Sequence, residues 1–195
     1  MTRADEARRT SEHPVSAPEL AEPLRILMHV ASGAGELETA LTHADRAVRV
    51  LVRAHGEGGL RVARALKTRG GMHAILRNFA LAEADLQRAQ AILEASENVD
   101  IDLTDVFMNL ARIRSWQDKP EAALRLLDRS VVLAEGVGRA DIVARAVLER
   151  CRVHVNAGDG VRAGTTCDAA DVAFTALFGV SHPARSEIEE LRRKL

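Results

Sequence analysis

Four segments of this chain share one spacing, and that repeat constrains the fold more than any other feature. They are ETALTHADRAV (38–48), ALAEADLQRAQ (80–90), EAALRLLDRSV (121–131) and VRAGTTCDAAD (161–171). Each places a small, an apolar and a small residue at i, i+4 and i+7. The triplets are Ala40/Ala44/Ala47, Ala82/Leu86/Ala89, Ala123/Leu127/Ser130 and Ala163/Cys167/Ala170, whose first members lie 42, 41 and 40 residues apart. Twelve residues before each triplet stand Met28, Gly70, Ala111 and Cys151, three of them small. Two antiparallel helices approach closely only where both surfaces are small, so the spacing predicts repeated helix pairs.

Apolar residues elsewhere keep the helical period. Leu124, Leu127, Val131 and Ala134 follow i, i+3, i+7, i+10, and Val143, Val147 and Cys151 follow i, i+4, i+8. Glycine clusters such as Gly56/Gly58/Gly59 and Gly136/Gly138 mark helix ends, and Pro23, Pro120 and Pro183 suit first turns. No β-branched alternation bounded by hairpin turns occurs. The expected architecture is therefore all-α, with nine helices near 20–33, 36–55, 59–77, 80–96, 101–117, 119–135, 140–157, 160–178 and 183–194. Residues 1–19 are expected to be a flexible polar arm, 20–180 four helix pairs, and 181–195 a C-terminal capping helix.

The repeat carries a resemblance. NLARIRSWQDKPEAALRLLDRSVVLAE (109–135) and RGGMHAILRNFALAEADLQRAQAIL (69–93) resemble the tetratricopeptide repeat family in a long-helix, roughly 40-residue variety. The chain departs from the family in having no Tyr, with His73, Arg114 and His154 at places where an aromatic is frequent. The resemblance implies a right-handed superhelical solenoid whose first helices line a concave groove. A helical bundle without a groove is the rival arrangement.

On that resemblance the inner helices present Glu22, Arg25 and His29; Arg64, Lys67 and Gly71; Asp105, Met108 and Arg112; and Arg145, Leu148 and Arg152, with Trp116 and Asn156 one turn further on. The groove would then be basic although the chain carries a net charge of −1. Guanidinium forks favour carboxylates and phosphates. The family likeness adds Asn109 as a holder of ligand backbone, and Trp116, the sole Trp, suits an anchor. The expected partner-binding residues are thus Arg25, Arg64, Lys67, Asn109, Arg112, Trp116, Arg145, Arg152 and Asn156. The expected function is a non-enzymatic scaffold or adaptor for an acidic peptide or partner tail. The alternatives are a regulatory sensor of a short peptide or small effector, and an accessory subunit of an enzyme complex.

Other chemistry finds little support in the residues. Cys151 and Cys167 are expected to face each other in the core, as inert unpaired thiols that suit a reducing compartment or, alternatively, as a redox pair, and they form no CxxC zinc motif. The seven histidines make no HExxH, and no catalytic, cofactor or metal residues are expected. GDGVRAG (158–164) lacks the Lys of a phosphate loop and reads as a turn opening a helix. Balanced charge and few aromatics argue against nucleic acid. No apolar run approaches membrane-spanning length and the first residues hold no apolar leader core, so a cytoplasmic location is expected. Ile188, Leu191 and Leu195 line one face of the last helix and would bring two copies into a dimer unless covered.

Overall fold

The protein is described by a computed structural model, in which residues 26, 33–97 and 100–195 are placed. Among these residues the chain forms eight α-helices and no strand: α1 (Leu37–His55), α2 (Leu60–Ile75), α3 (Phe79–Glu94), α4 (Asp100–Trp116), α5 (Pro120–Gly136), α6 (Ala140–Asn156), α7 (Gly160–Phe178) and α8 (Pro183–Arg192). The expected first helix, 20–33, and the arm, 1–19, lie outside the described residues.

The small residues of the repeat sit where the helices meet. Ala82, Leu86 and Ala89 are fully buried, as are Ala123, Leu127 and Ser130, and Ala163, Cys167 and Ala170. Their counterparts on the preceding helices complete the contact. A Cβ on Gly70 would meet Leu86 Cγ at 2.9 Å, so α2 approaches α3 over bare backbone. Burying each leucine side chain in these seams contributes about 1.5–3 kcal/mol before chain entropy is counted.

One turn type recurs between paired helices. The Asn78 N–H donates to the His73 carbonyl (2.9 Å), Lys119 to Arg114 (2.9 Å) and Asp159 to His154 (3.0 Å). Each bond closes over a left-handed residue: Arg77 at φ 62°, Asp118 at 57° and Gly158 at 71°. These are Schellman closures, which satisfy carbonyls that a helix end leaves open. At 158–164 the turn leads directly into α7, whose first turn is capped by the Asp159 side chain accepting from the Arg162 N–H.

Every helix packs on its chain neighbours, and α2, α4, α6 and α8 also pack on one another in sequence. The apolar interior follows that order. Phe107 and Ile113 of α4 join a core shared with α1–α3, while Met108 and Ala111 on its other side join α5 and α6. Leu148 and Cys151 of α6 then share a core with Phe174, Ile188 and Leu191.

Two expectations are corrected here. Cys151 and Cys167 are not free thiols; they form a disulfide joining α6 to α7, with Cα atoms 5.0 Å apart. The small-on-small seam brings their backbones within ordinary disulfide reach. Unpaired thiols therefore no longer argue for a reducing compartment. Ile188 and Leu191 are also not open to a second copy, because α8 turns them onto α6 and α7; only Leu195 of that trio stays exposed. The outward side of α8 is polar, with Ser186, Glu189 and Glu190 exposed.

Candidate functional site

The face shared by α2, α4, α6 and α8 holds three clefts that run into one another. One, of about 280 Å³, lies between α2 and α4 and is lined by Lys67, Gly71, Asp105, Asn109, Arg112 and Arg145 among others. The next, of about 510 Å³, lies at the far end of these helices, with Ile75, Arg77, Arg112, Trp116, Glu149, Arg152 and Asn156 on its wall. The third, of about 410 Å³, is bounded by α6 and α8 and includes Arg145, Glu149, Arg152, Phe178, His182 and Glu187. Arg112 lines all three.

Ion pairs cross this face from helix to helix. Arg64 and Lys67 of α2 reach Asp102 of α4 at 2.8 and 2.9 Å, and Lys67 also reaches Asp105 at 2.9 Å. Asp105 faces Arg145 of α6 at 3.5 Å. Arg112 of α4 bonds Glu149 of α6, and Arg152 bonds both Glu149 and Glu187 of α8. The expected basic stripe is therefore corrected: Arg64, Lys67, Arg112, Arg145 and Arg152 are interleaved with Asp102, Asp105, Glu149 and Glu187. Arg25 lies outside the described residues.

Among the described residues, Glu149 is the most deeply buried carboxylate, with 8% of its side chain exposed. Burial alone would raise its pKa, but the Arg112 and Arg152 charges and hydrogen bonds hold it below the usual glutamate value. Asp102 behaves likewise: burial works upward, and Lys67 and Arg64 bring it below the ordinary aspartate value. These carboxylates stay ionised, and they tie up the cations that face them.

The remaining expected residues divide. Asn156 donates to Ser115 Oγ at 3.0 Å, linking α6 to α4. Asn109 faces the first cleft opposite Gly71, where an added Cβ would lie 3.7 Å from its Oδ1. Trp116 is half-buried with its ring centroid 6.1 Å from Phe79, and Arg77 lies over it, the guanidinium carbon 4.1 Å from the ring centroid. Sequence reasoning missed Asp102, Glu149, Glu187 and Arg77. Glu149 was legible in principle, since it occupies the place of Asn109 one repeat later.

Among the described residues, no group of three or more His, Cys, Asp and Glu is arranged to hold a metal ion, and no helix is long and apolar enough to cross a membrane.

No family model matches the chain, and no curated protein matches it. Its structure is similar to the crystal structure of BtubC (BKLC) from P. vanneervenii. The TM-score is 0.70 at 19% identity, over 89% of this chain and 70% of that one. At this identity the likeness extends to the fold alone.

Proposed function

We propose that the chain is a non-enzymatic scaffold of tetratricopeptide-like helix pairs that receives an acidic peptide segment on its α2/α4/α6/α8 face. The solenoid reading is supported by the contact order: each helix meets its chain neighbours, and the even helices also meet one another. The fold does not by itself carry a function, so the binding reading rests on the site.

One observation carries that reading. Each cleft is lined by three cations, but the carboxylates are not spread evenly among them. The α2/α4 cleft is lined by Lys67, Arg112 and Arg145 against Asp105, and the Trp116 cleft by Arg77, Arg112 and Arg152 against Glu149. The α8 cleft sets Arg112, Arg145 and Arg152 against Asp141, Glu149 and Glu187. Cations thus outnumber carboxylates on the walls of the first two clefts and equal them in the third, although Lys67, Arg112, Arg145 and Arg152 each have a carboxylate partner on this face. An acidic segment would lie across the first two, with its carboxylates drawn to the surplus and its backbone beside Asn109.

The test uses a residue whose loss costs the fold little. Arg145 has 55% of its side chain exposed and sits 3.5 Å from its partner. Arg145→Glu should leave the circular dichroism spectrum unchanged and weaken capture of a fluorescein-labelled hexaglutamate peptide several-fold at low ionic strength. Raising salt should weaken capture by the wild type. Equal, salt-independent capture by both proteins would sink the proposal.

A further inference from the structure

We infer that Arg77 and Trp116 form an anchor subsite that takes one carboxylate of the bound segment at the α2–α3 turn. The inference rests on the acidic-segment reading above and locates its tightest contact.

The first observation is the backbone. Arg77, Asp118 and Gly158 occupy the same step of successive helix-pair turns, and all three are left-handed. Gly takes that conformation freely, and Asp tolerates it through its short polar side chain. Arg has neither excuse, and a left-handed residue bearing a Cβ costs roughly 1–2 kcal/mol. Strain held in one repeat and relieved in its siblings points to a use for the side chain.

The second observation is where that side chain goes. Its guanidinium lies 4.1 Å from the Trp116 ring centroid and 5.8 Å from that of Phe79. Arg77 and Trp116 both line the 510 Å³ cleft, so the stacked cation stands on its wall. Among the described residues, no carboxylate pairs with Arg77, whereas the other two cations of that cleft, Arg112 and Arg152, are both tied to Glu149. Stacking occupies the face of a guanidinium and leaves its edge donors for a planar, two-oxygen acceptor. Ile75 and Val153 supply an apolar floor beside it, suited to the methylene groups of a Glu side chain.

Trp116 is the chain's only Trp, so its emission reports on this subsite alone. The experiment titrates hexaglutamate, acetylated and amidated at its ends, into the full chain. Trp116 emission and the anisotropy of a labelled copy are followed in parallel. Variants are Arg77→Gly, which keeps the turn conformation, and Arg77→Lys, which keeps the charge and loses the fork. The expected result is a change of emission on binding. Affinity should fall about tenfold in Arg77→Gly and recover only partly in Arg77→Lys. If Arg77→Gly binds as tightly as wild type while Arg145→Glu binds weakly, the anchor is wrong and the acidic-segment reading stands. If the wild type does not bind hexaglutamate at low ionic strength, both fall. Emission that responds equally to inorganic phosphate at matched charge would overturn the carboxylate assignment.

Discussion

Gly70 of α2 faces Leu86 of α3 so closely that a methyl group has no place between them. An added Cβ would lie 2.9 Å from Leu86 Cγ and 3.2 Å from both the Ala82 carbonyl oxygen and Asp85 Cβ. Two effects oppose each other in Gly70→Ala. Helix propensity gains up to about 1 kcal/mol, and overpacking a seam costs about 1–3 kcal/mol. Leu86 can rotate, but the Ala82 backbone cannot, so the loss should win. Urea unfolding should show Gly70→Ala destabilised by about 1–2 kcal/mol, while Gly164→Ala, with open space around its Cβ, is neutral or stabilised.

The same seam is filled differently in the later pairs. Gly70 meets Leu86, Ala111 corresponds to Leu127, and Cys151 is bonded to Cys167. Without its bond the cysteine pair is the thinner filling, since two thiols replace an alanine and a leucine. Reduction should therefore lower the stability of the α6–α8 end. The covalent loop spans 16 residues of sequence, for which the chain-entropy argument gives about 3 kcal/mol. Cys151→Ala/Cys167→Leu rebuilds the middle pair's contact and should melt at the same temperature with or without a phosphine reductant. Hydrogen exchange should show the loss in reduced wild type confined to α6, α7 and α8. An unchanged melt after confirmed reduction would contradict this.

Glu149 is buried between two guanidinium groups, so removing its charge leaves Arg112 without a carboxylate and Arg152 with Glu187 alone. Glu149→Gln should destabilise the chain by about 1–3 kcal/mol, because both guanidinium groups keep some contact with water and Arg152 keeps Glu187. The pH dependence has a definite sign. The folded-state pKa of Glu149 lies below its ordinary 4.5, so the unfolded chain binds more protons in acid. The stabilisation is fully present above about 4.5 and is lost as pH falls through the folded value. Asp102 acts in the same direction below its ordinary 3.8. Acid unfolding followed by circular dichroism should be steeper for wild type than for Glu149→Gln, and parallel curves would refute the assignment.

Arg77→Gly should be close to neutral for stability. Relief of the left-handed conformation returns roughly 1–2 kcal/mol, while the lost stacking removes about 0.5–1 kcal/mol. A thermal melt within a few degrees of wild type is expected, which keeps any loss of peptide binding in this variant attributable to the contact. A drop of more than about 2 kcal/mol would show that Arg77 supports the turn itself.

All eight described helices begin and end within two residues of the positions read from periodicity and punctuation, because those signals are local: one face of a helix, a proline at its first turn, a glycine past its last. The small triplets also identified the seams, since close approach demands small residues whatever the partner. The sequence determined that much by itself. Tertiary structure decided the site. Arg64 and Asp102 are 38 residues apart and Arg112 and Glu149 are 37, and no local pattern says which cation meets which carboxylate. That depends on the axial offset between successive helix pairs, which side-chain packing sets. The same offset seated Ile188 and Leu191 of α8 on α6 and α7 and laid Arg77 over Trp116, while close packing within the α6/α7 pair turned two facing cysteines into a bond. Charge on a helix is written in the chain; whether it stays free is settled only when the neighbouring helix arrives.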